Sequence, residues 1–229
     1  HVYMEIWKGM PGLKQAGRIA QDRLVNHLAK YGYAPVARTP SLWKHRTRSI
    51  AFTLVVGNLG IKYVNRNHFD HFLNAIRDQY SVTVNMTGSK YLGLTLEWNY
   101  ADGTVCISMP GYIKAALHKF QHPLPRQKQY APHQWKPPQY GQRVQFSDND
   151  SNSPQLSKTA KTRVPQIVGT LLYYSIALDF TMLPALGNLA SQQANPTKRT
   201  MSDITWLLDY CATLLEAKLK YIKSDMVLW

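Results

Sequence analysis

Few stretches of this 229-residue sequence set out side chains that could do chemistry. His68, Asp70 and His71 fall within one helical turn, a spacing that suits a transition-metal ion. Phe69 and Phe72 mark the buried face of the same helix, so the polar trio reads as solvated surface. His118 and His122 have the i, i+4 separation of a zinc pair, but residues 103 to 147 contain no Asp or Glu to serve as a third ligand or a general base. That pair too reads as a solvated face. No serine stands in a Gly-x-Ser-x-Gly nucleophile turn. Two places remain. Gly9 and Gly12 bracket a loop whose backbone can approach a ligand closely, and Gln15 beyond them offers an amide that both donates and accepts. Val55-Val56-Gly57-Asn58-Leu59-Gly60 reads as a hairpin tip inside a segment with no carboxylate at all from Asp22 to Asp70.

Periodicity supplies the elements that must position these residues. Residues 2 to 7 read as a short strand and 8 to 12 as a tight loop. A helix is expected from Gln15 to Lys30, with Ala20, Leu24, Val25 and Leu28 on one face and Gly32 as its stop. Ile50, Phe52, Leu54 and Val56 alternate along a strand, Gly57 to Gly60 turn it, and Ile61 to Val64 return. Phe69, Phe72, Leu73, Ile76 and Tyr80 give the clearest helix. Strand patterns at 91 to 98 and 104 to 107 flank Asp102-Gly103, and Pro110 opens a short helix carrying Ile113, Ala116, Leu117 and Phe120. Five prolines between Pro123 and Pro138 and a polar run from Ser147 mark 122 to 162 as a long connection. Helices are then expected over Gln166 to Leu178, Met182 to Gln193 and Met201 to Glu216, and strands at Lys218 to Ile222 and Met226 to Trp229.

Composition narrows the partners. Twenty-seven Lys plus Arg against 13 Asp plus Glu give a net charge of +14 and a pI near 9.8. The excess is regional, since residues 23 to 69 hold eight basic residues and no acid, while 103 to 147 hold six and no acid. Interleaved with Tyr and Trp, this distribution points to a polyanion with stackable bases. Cys106 and Cys211 are too few for a disulfide framework and sit in apolar runs, which fits a reducing, intracellular setting. The expectation is of no leader and no membrane span, and of a piece cut from a longer chain that starts without methionine.

Gly9-x-x-Gly12-Leu13-Lys14-Gln15-Ala16, followed by a helix and an apolar hairpin, resembles the reverse transcriptase of copia-type retrotransposons. Further blocks look like that family in the same order. They are Phe52-Thr53-Leu54-Val55-Val56 with Gly60-Ile61-Lys62-Tyr63-Val64, Tyr91-Leu92-Gly93-Leu94-Thr95-Leu96-Glu97-Trp98, Ile107-Ser108-Met109-Pro110-Gly111-Tyr112, and Ile167-Val168-Gly169-Thr170-Leu171-Leu172-Tyr173-Tyr174. Collinear blocks over nearly the whole chain carry more weight than any one glycine motif.

The resemblance implies an α+β fold, a right-hand polymerase palm with an antiparallel sheet and packed helices, followed by a mainly helical thumb and connection. Residues 1–109 would be palm-like and 110–121 the start of the thumb-like region. The Pro-rich and polar connection would span 122–162, the helical thumb and connection region 163–217, and strands leading toward a ribonuclease H domain 218–229. Gly12 and Gln15 would lie near the incoming nucleotide and template, and Tyr91, Leu92, Gly93 and Leu94 would form the primer grip. In the family, two adjacent hairpin aspartates and a third on an earlier strand hold two magnesium ions. Here Gly57 and Asn58 occupy the paired positions, and the earlier strand would lie before His1. Pro11 and Leu59 stand where the family usually has aromatics. The expectation is therefore an inactive fragment of an RNA-directed DNA polymerase that binds no magnesium at the substituted site. Its implied partners are nucleic acid, as an RNA–DNA hybrid or template–primer, and the remainder of a polyprotein. Alternatives are a non-catalytic nucleic-acid-binding module and a relic without function.

Overall fold

The computed structural model describes residues 14–134 and 153–224. The expected strand over 2–7, the loop with Gly12, most of the polar run from Ser147 and the strand expected at Met226–Trp229 lie outside the described residues. Within them the chain is a mixed α+β protein with two antiparallel sheets and six α-helices, and it divides into two compact units between Leu92 and Gly93. That division differs from the boundary at 109 expected from the sequence. The hairpin over residues 94–108 was grouped there with the preceding sheet, whereas its apolar face packs on the helices that follow.

In the first unit, α1 (Lys14–Ala29) leads into β1 (Tyr33–Val36), β2 (Thr39–His45), β3 (Ile50–Val55) and β4 (Asn58–Tyr63), a meander paired in sequence order. Gly32 ends α1 as expected, with φ +85, and a side chain there would bring Cβ within 2.8 Å of His45 Nε2. α2 (Arg66–Arg77) starts where the Asn65 side chain accepts the Asn67 amide, and it buries Phe69, Phe72, Ala75 and Ile76. The sheet meets α2 through rings. Trp43 and Phe52 are register partners stacked at 5.5 Å, and Phe52 lies 4.5 Å from Phe72. No element was expected over residues 33–45, where β1 and β2 form, and Pro35 and Pro40 are poor strand formers. Burial of Tyr33 and Trp43 outweighs that local signal, and a bulge between Pro35 and Val36 absorbs the irregularity.

The hairpin tip also differs in detail. Val55 pairs with Asn58, so the two-residue turn is Val56-Gly57 and Asn58 opens β4. Both turn residues have positive φ, 45° at Val56 and 84° at Gly57, the pattern of a type I′ turn. A β-branched residue is poorly suited to the left-handed region, and Val56 is 96% exposed, so no packing offsets the strain. The unit closes with the two-residue strand β5 (Lys90–Tyr91).

In the second unit, β6 (Leu94–Asn99), β7 (Thr104–Ser108) and β8 (Lys218–Ile222) pair antiparallel. The helices are α3 (Tyr112–Lys119), α4 (Lys158–Ala177), α5 (Leu183–Ser191) and α6 (Lys198–Thr213), with one 3-10 turn at Phe180–Met182. They enclose a core of Ile113, Ile167, Leu171, Met182, Leu186, Ile204 and Leu207 among others. α4 begins inside the stretch expected to be connection and carries Pro165 within it. Ser157 accepts the Ala160 amide to start the helix, and Pro165 is exposed, so the turn before it survives the loss of one donor. α6 begins three residues earlier than expected because Thr197 and Thr200 form a capping box. The rest of the connection is pinned where it is described. Gln129 N donates to Thr213 Oγ1, Trp206 Nε1 donates to Ala131 O, and the amides of Leu156 and Lys198 donate to the carbonyls of Pro196 and Pro154. Among the described residues no helix is long and apolar enough to cross a membrane.

Replacing Val56 by Asn would give the turn a residue that tolerates the left-handed region. The expected outcome is a gain of about 1 kcal/mol, measured as a higher urea midpoint with an unchanged m value.

Candidate nucleic-acid interface

The β3–β4 tip presents no charge. Gly57 has no side chain, and Asn58 supplies a neutral amide oxygen that cannot offset the charge of a divalent ion. The described carboxylates of the first unit are Asp22, Asp70 and Asp78. Asp22 lies on α1 beside Arg18 at 3.1 Å, Asp70 lies on α2 beside Arg66 at 3.0 Å, and Asp78 caps the end of α2. None is on the hairpin. Among the described residues no group of three His, Cys, Asp or Glu could hold a metal ion. The donor set at Gly57-Asn58 does not fit a pair of magnesium ions, which need bridging carboxylates.

One residue expected to touch a primer does meet the hairpin. Tyr91 packs its ring on the Cα of Gly60, where a Cβ would lie 3.2 Å from the ring and 2.9 Å from Thr53 Oγ1. The Tyr91 and Thr53 hydroxyls lie 2.8 Å apart. Gly60 is thus required by a close approach rather than by the turn itself. The other three expected residues do not continue a strand from Tyr91. Leu92 and Gly93 are both left-handed, at φ 51 and 78, so the strand begins at Leu94, whose side chain packs against the second unit's core. Gln15 lies in the first turn of α1, not in the preceding loop, and is exposed. Gly12 is outside the described residues.

One histidine of each group departs from the solvated surface expected of it, while His118 is exposed as expected. His71 turns inward, with Nδ1 3.1 Å from the Tyr33 hydroxyl and its ring 5.4 Å from that of His45. His45 Nδ1 accepts the amides of Thr47 and Arg48 at 3.1 and 3.0 Å, which leaves the proton on Nε2 under Gly32. Burial pushes His45 and His71 below the ordinary imidazole value, with the Arg48 guanidinium adding to it, and burial pushes Tyr33 up to about 12. His122 is likewise not a solvated residue. Its Nε2 meets Asp209 Oδ1 at 2.7 Å with the side chain 6% exposed, and the acid comes from α6, far outside the acid-free stretch searched in the sequence. This pair anchors the start of the connection.

A surface the sequence reading missed lies on α4. Leu172, Tyr173 and Ile176 on the helix and Phe180 just past it are exposed, while Leu171, Tyr174, Ser175 and Leu178 are buried, and a side chain at Gly169 on the exposed side would meet nothing within 4 Å. The signal was present in Ile167 to Phe180, which is too apolar on all sides for a helix with a single buried face. No protein-family model and no solved structure matches this chain.

The depressed histidines carry a sign that can be tested. Because His45 and His71 bind protons less readily folded than unfolded, their contribution is fully present above the unfolded value of about 6.5 and is lost as pH falls through the folded values. Urea midpoints are expected to be flat above about pH 7.5 and to drop progressively below about pH 6.5. His71→Phe should flatten part of that slope, and an unchanged slope would remove His71 from the account.

Proposed function

We propose that this chain is part of a copia-type reverse transcriptase that has lost the metal chemistry of polymerisation and keeps nucleic-acid binding. The observation that carries the reading is the β3–β4 hairpin. Val55-Val56-Gly57-Asn58 sits at the tip of a packed antiparallel meander, with α2 buried on the sheet and Tyr91 seated on Gly60, in the order the resembling blocks require. The first unit exposes Arg23 and Lys30 on or just after α1, and Lys44, Arg46 and Lys62 toward the end of the meander away from that tip, with no acid between residues 23 and 69. A polyanion meeting that surface releases counterions, so affinity falls steeply with salt.

Without carboxylates at 57 and 58, the two-ion clamp on attacking and leaving oxygens is absent, and its loss removes at least several kcal/mol of transition-state stabilisation. Binding does not depend on that clamp. Contacts are expected to go to phosphates and to stacked faces, which gives little base specificity. A relic that does nothing is the competing reading. The two enclosed cores and the capped helices of the described residues favour a folded product over it.

The test is titration of a labelled RNA–DNA hybrid at several salt concentrations, with primer extension run in parallel. Binding with a slope of about −0.9 per phosphate engaged, and no extension, is the expected result. Failure to bind at low salt would sink the binding function. Gly57→Asp combined with Asn58→Asp is expected to leave extension undetectable, since the described acids of the first unit lie on or at the ends of helices. A single-nucleotide extension by that variant would show the site to be mislocated here.

A further inference from the structure

The core-facing side of the second unit's sheet runs on past the helices that cover it. Leu94, Ile107 and Leu219 pack against the helical core, and strand alternation puts Trp98, Val105 and Tyr221 on the same side. Register sets Trp98 opposite Val105 and Val105 opposite Tyr221, one continuous cross-strand row. Yet Trp98 is 46% and Tyr221 52% exposed. Tyr100, 83% exposed, lies parallel to Trp98, with centroids 5.9 Å apart and planes 7° apart. Ordinary packing would cover such a row.

We infer that Trp98, Tyr100 and Tyr221, on elements other than the β3–β4 hairpin, form a stacking platform for single-stranded nucleic acid; the inference rests on the nucleic-acid reading above. Three features favour this occupant. The exposed groups in the row and stack are aromatic rings rather than aliphatic chains, and the parallel Trp98–Tyr100 pair already has the geometry onto which a base would stack as the next layer. Lys223, which follows Tyr221 on the same side and lies beside the Gly103 turn, is exposed and able to hold a phosphate, while Lys218 and Lys220 project from the other face of this edge strand. The nearby Asp102 carboxylate accepts the Asn99 side-chain amide at 2.7 Å, and the chain as a whole carries +14. A second copy of the chain is a poorer occupant. β8 is the edge of its sheet, and edge-to-edge pairing would set its lysines against those of the other copy.

The experiment uses the full chain with fluorescein-labelled oligo(dT) and, separately, an RNA–DNA hybrid of equal length, both followed by anisotropy. Tyr100→Ala and Trp98→Ala should each weaken oligo(dT) binding at least about fivefold, the low end of one lost base stack. Tyr130→Ala, which removes an exposed ring elsewhere, should stay within about twofold. Lys223→Gln should reduce the salt slope for oligo(dT) by about 0.7. The inference is overturned if the parent chain binds oligo(dT) and both platform variants bind it equally well. It is also overturned if the parent self-associates in sedimentation and Tyr100→Ala abolishes that association. Loss of oligo(dT) binding with hybrid binding retained in the parent chain would reject the platform alone. Loss of both would reject the nucleic-acid function with it.

Discussion

Phe52 is the residue on which the first unit depends. It is 1% exposed, stacked on Trp43 across the sheet, tilted against Phe72 from α2 and edge-on to Tyr33 from β1. Three strands and a helix meet at one ring. Each such aromatic contact contributes about 0.5–1.5 kcal/mol beyond its buried area, and their common partner makes them interdependent. The hairpin register follows from it. Sliding β3 by one residue would turn Phe52 out to solvent and carry every neighbour on its face with it. The position of the Val56-Gly57 turn is therefore held from the buried end, which explains how an exposed, strained valine can persist at the tip.

What was legible in the sequence was whatever one side chain per turn or per pleat could report. The aromatic and aliphatic face of α2, the β3–β4 alternation and the Gly32 stop all carry their signal locally. β1 and β2 do not, because two prolines and a basic residue mask a strand pair whose stability comes from burying Tyr33 and Trp43 against residues that arrive later. Pro165 misled in the same way at α4. The helix was expected to begin just after it, at Gln166, while the true start is set by Ser157, whose hydroxyl capping is a weak local cue.

The candidate site shows the same division more sharply. That Gly57 and Asn58 supply no metal-binding charge needs only their identities. That Tyr91 rests on Gly60, or that His122 finds Asp209, depends on pairs 31 and 87 residues apart, and nothing in the composition near either partner announces the other. His71 is the instructive case. It shares a helix turn with a buried phenylalanine, and a single helix viewed alone cannot say that two strands, β1 and β2, bring Tyr33 and His45 to its polar flank.

The pairing of β7 with β8 has a consequence for the order in which the protein is made. Ser108 faces Lys218 and Thr104 faces Ile222, so the helical part of the second unit is synthesised between the two strands. The meander of the first unit pairs only neighbours in sequence and can close while translation continues. β7 must instead wait with one edge unpaired, its amides and carbonyls open to any passing strand, until β8 emerges. A ribosome that stalls or terminates before Lys218 releases a chain whose first half is finished and whose second half ends in an adhesive edge. Completeness of the message, more than any single contact, decides whether this sheet becomes a fold or a seed for aggregation.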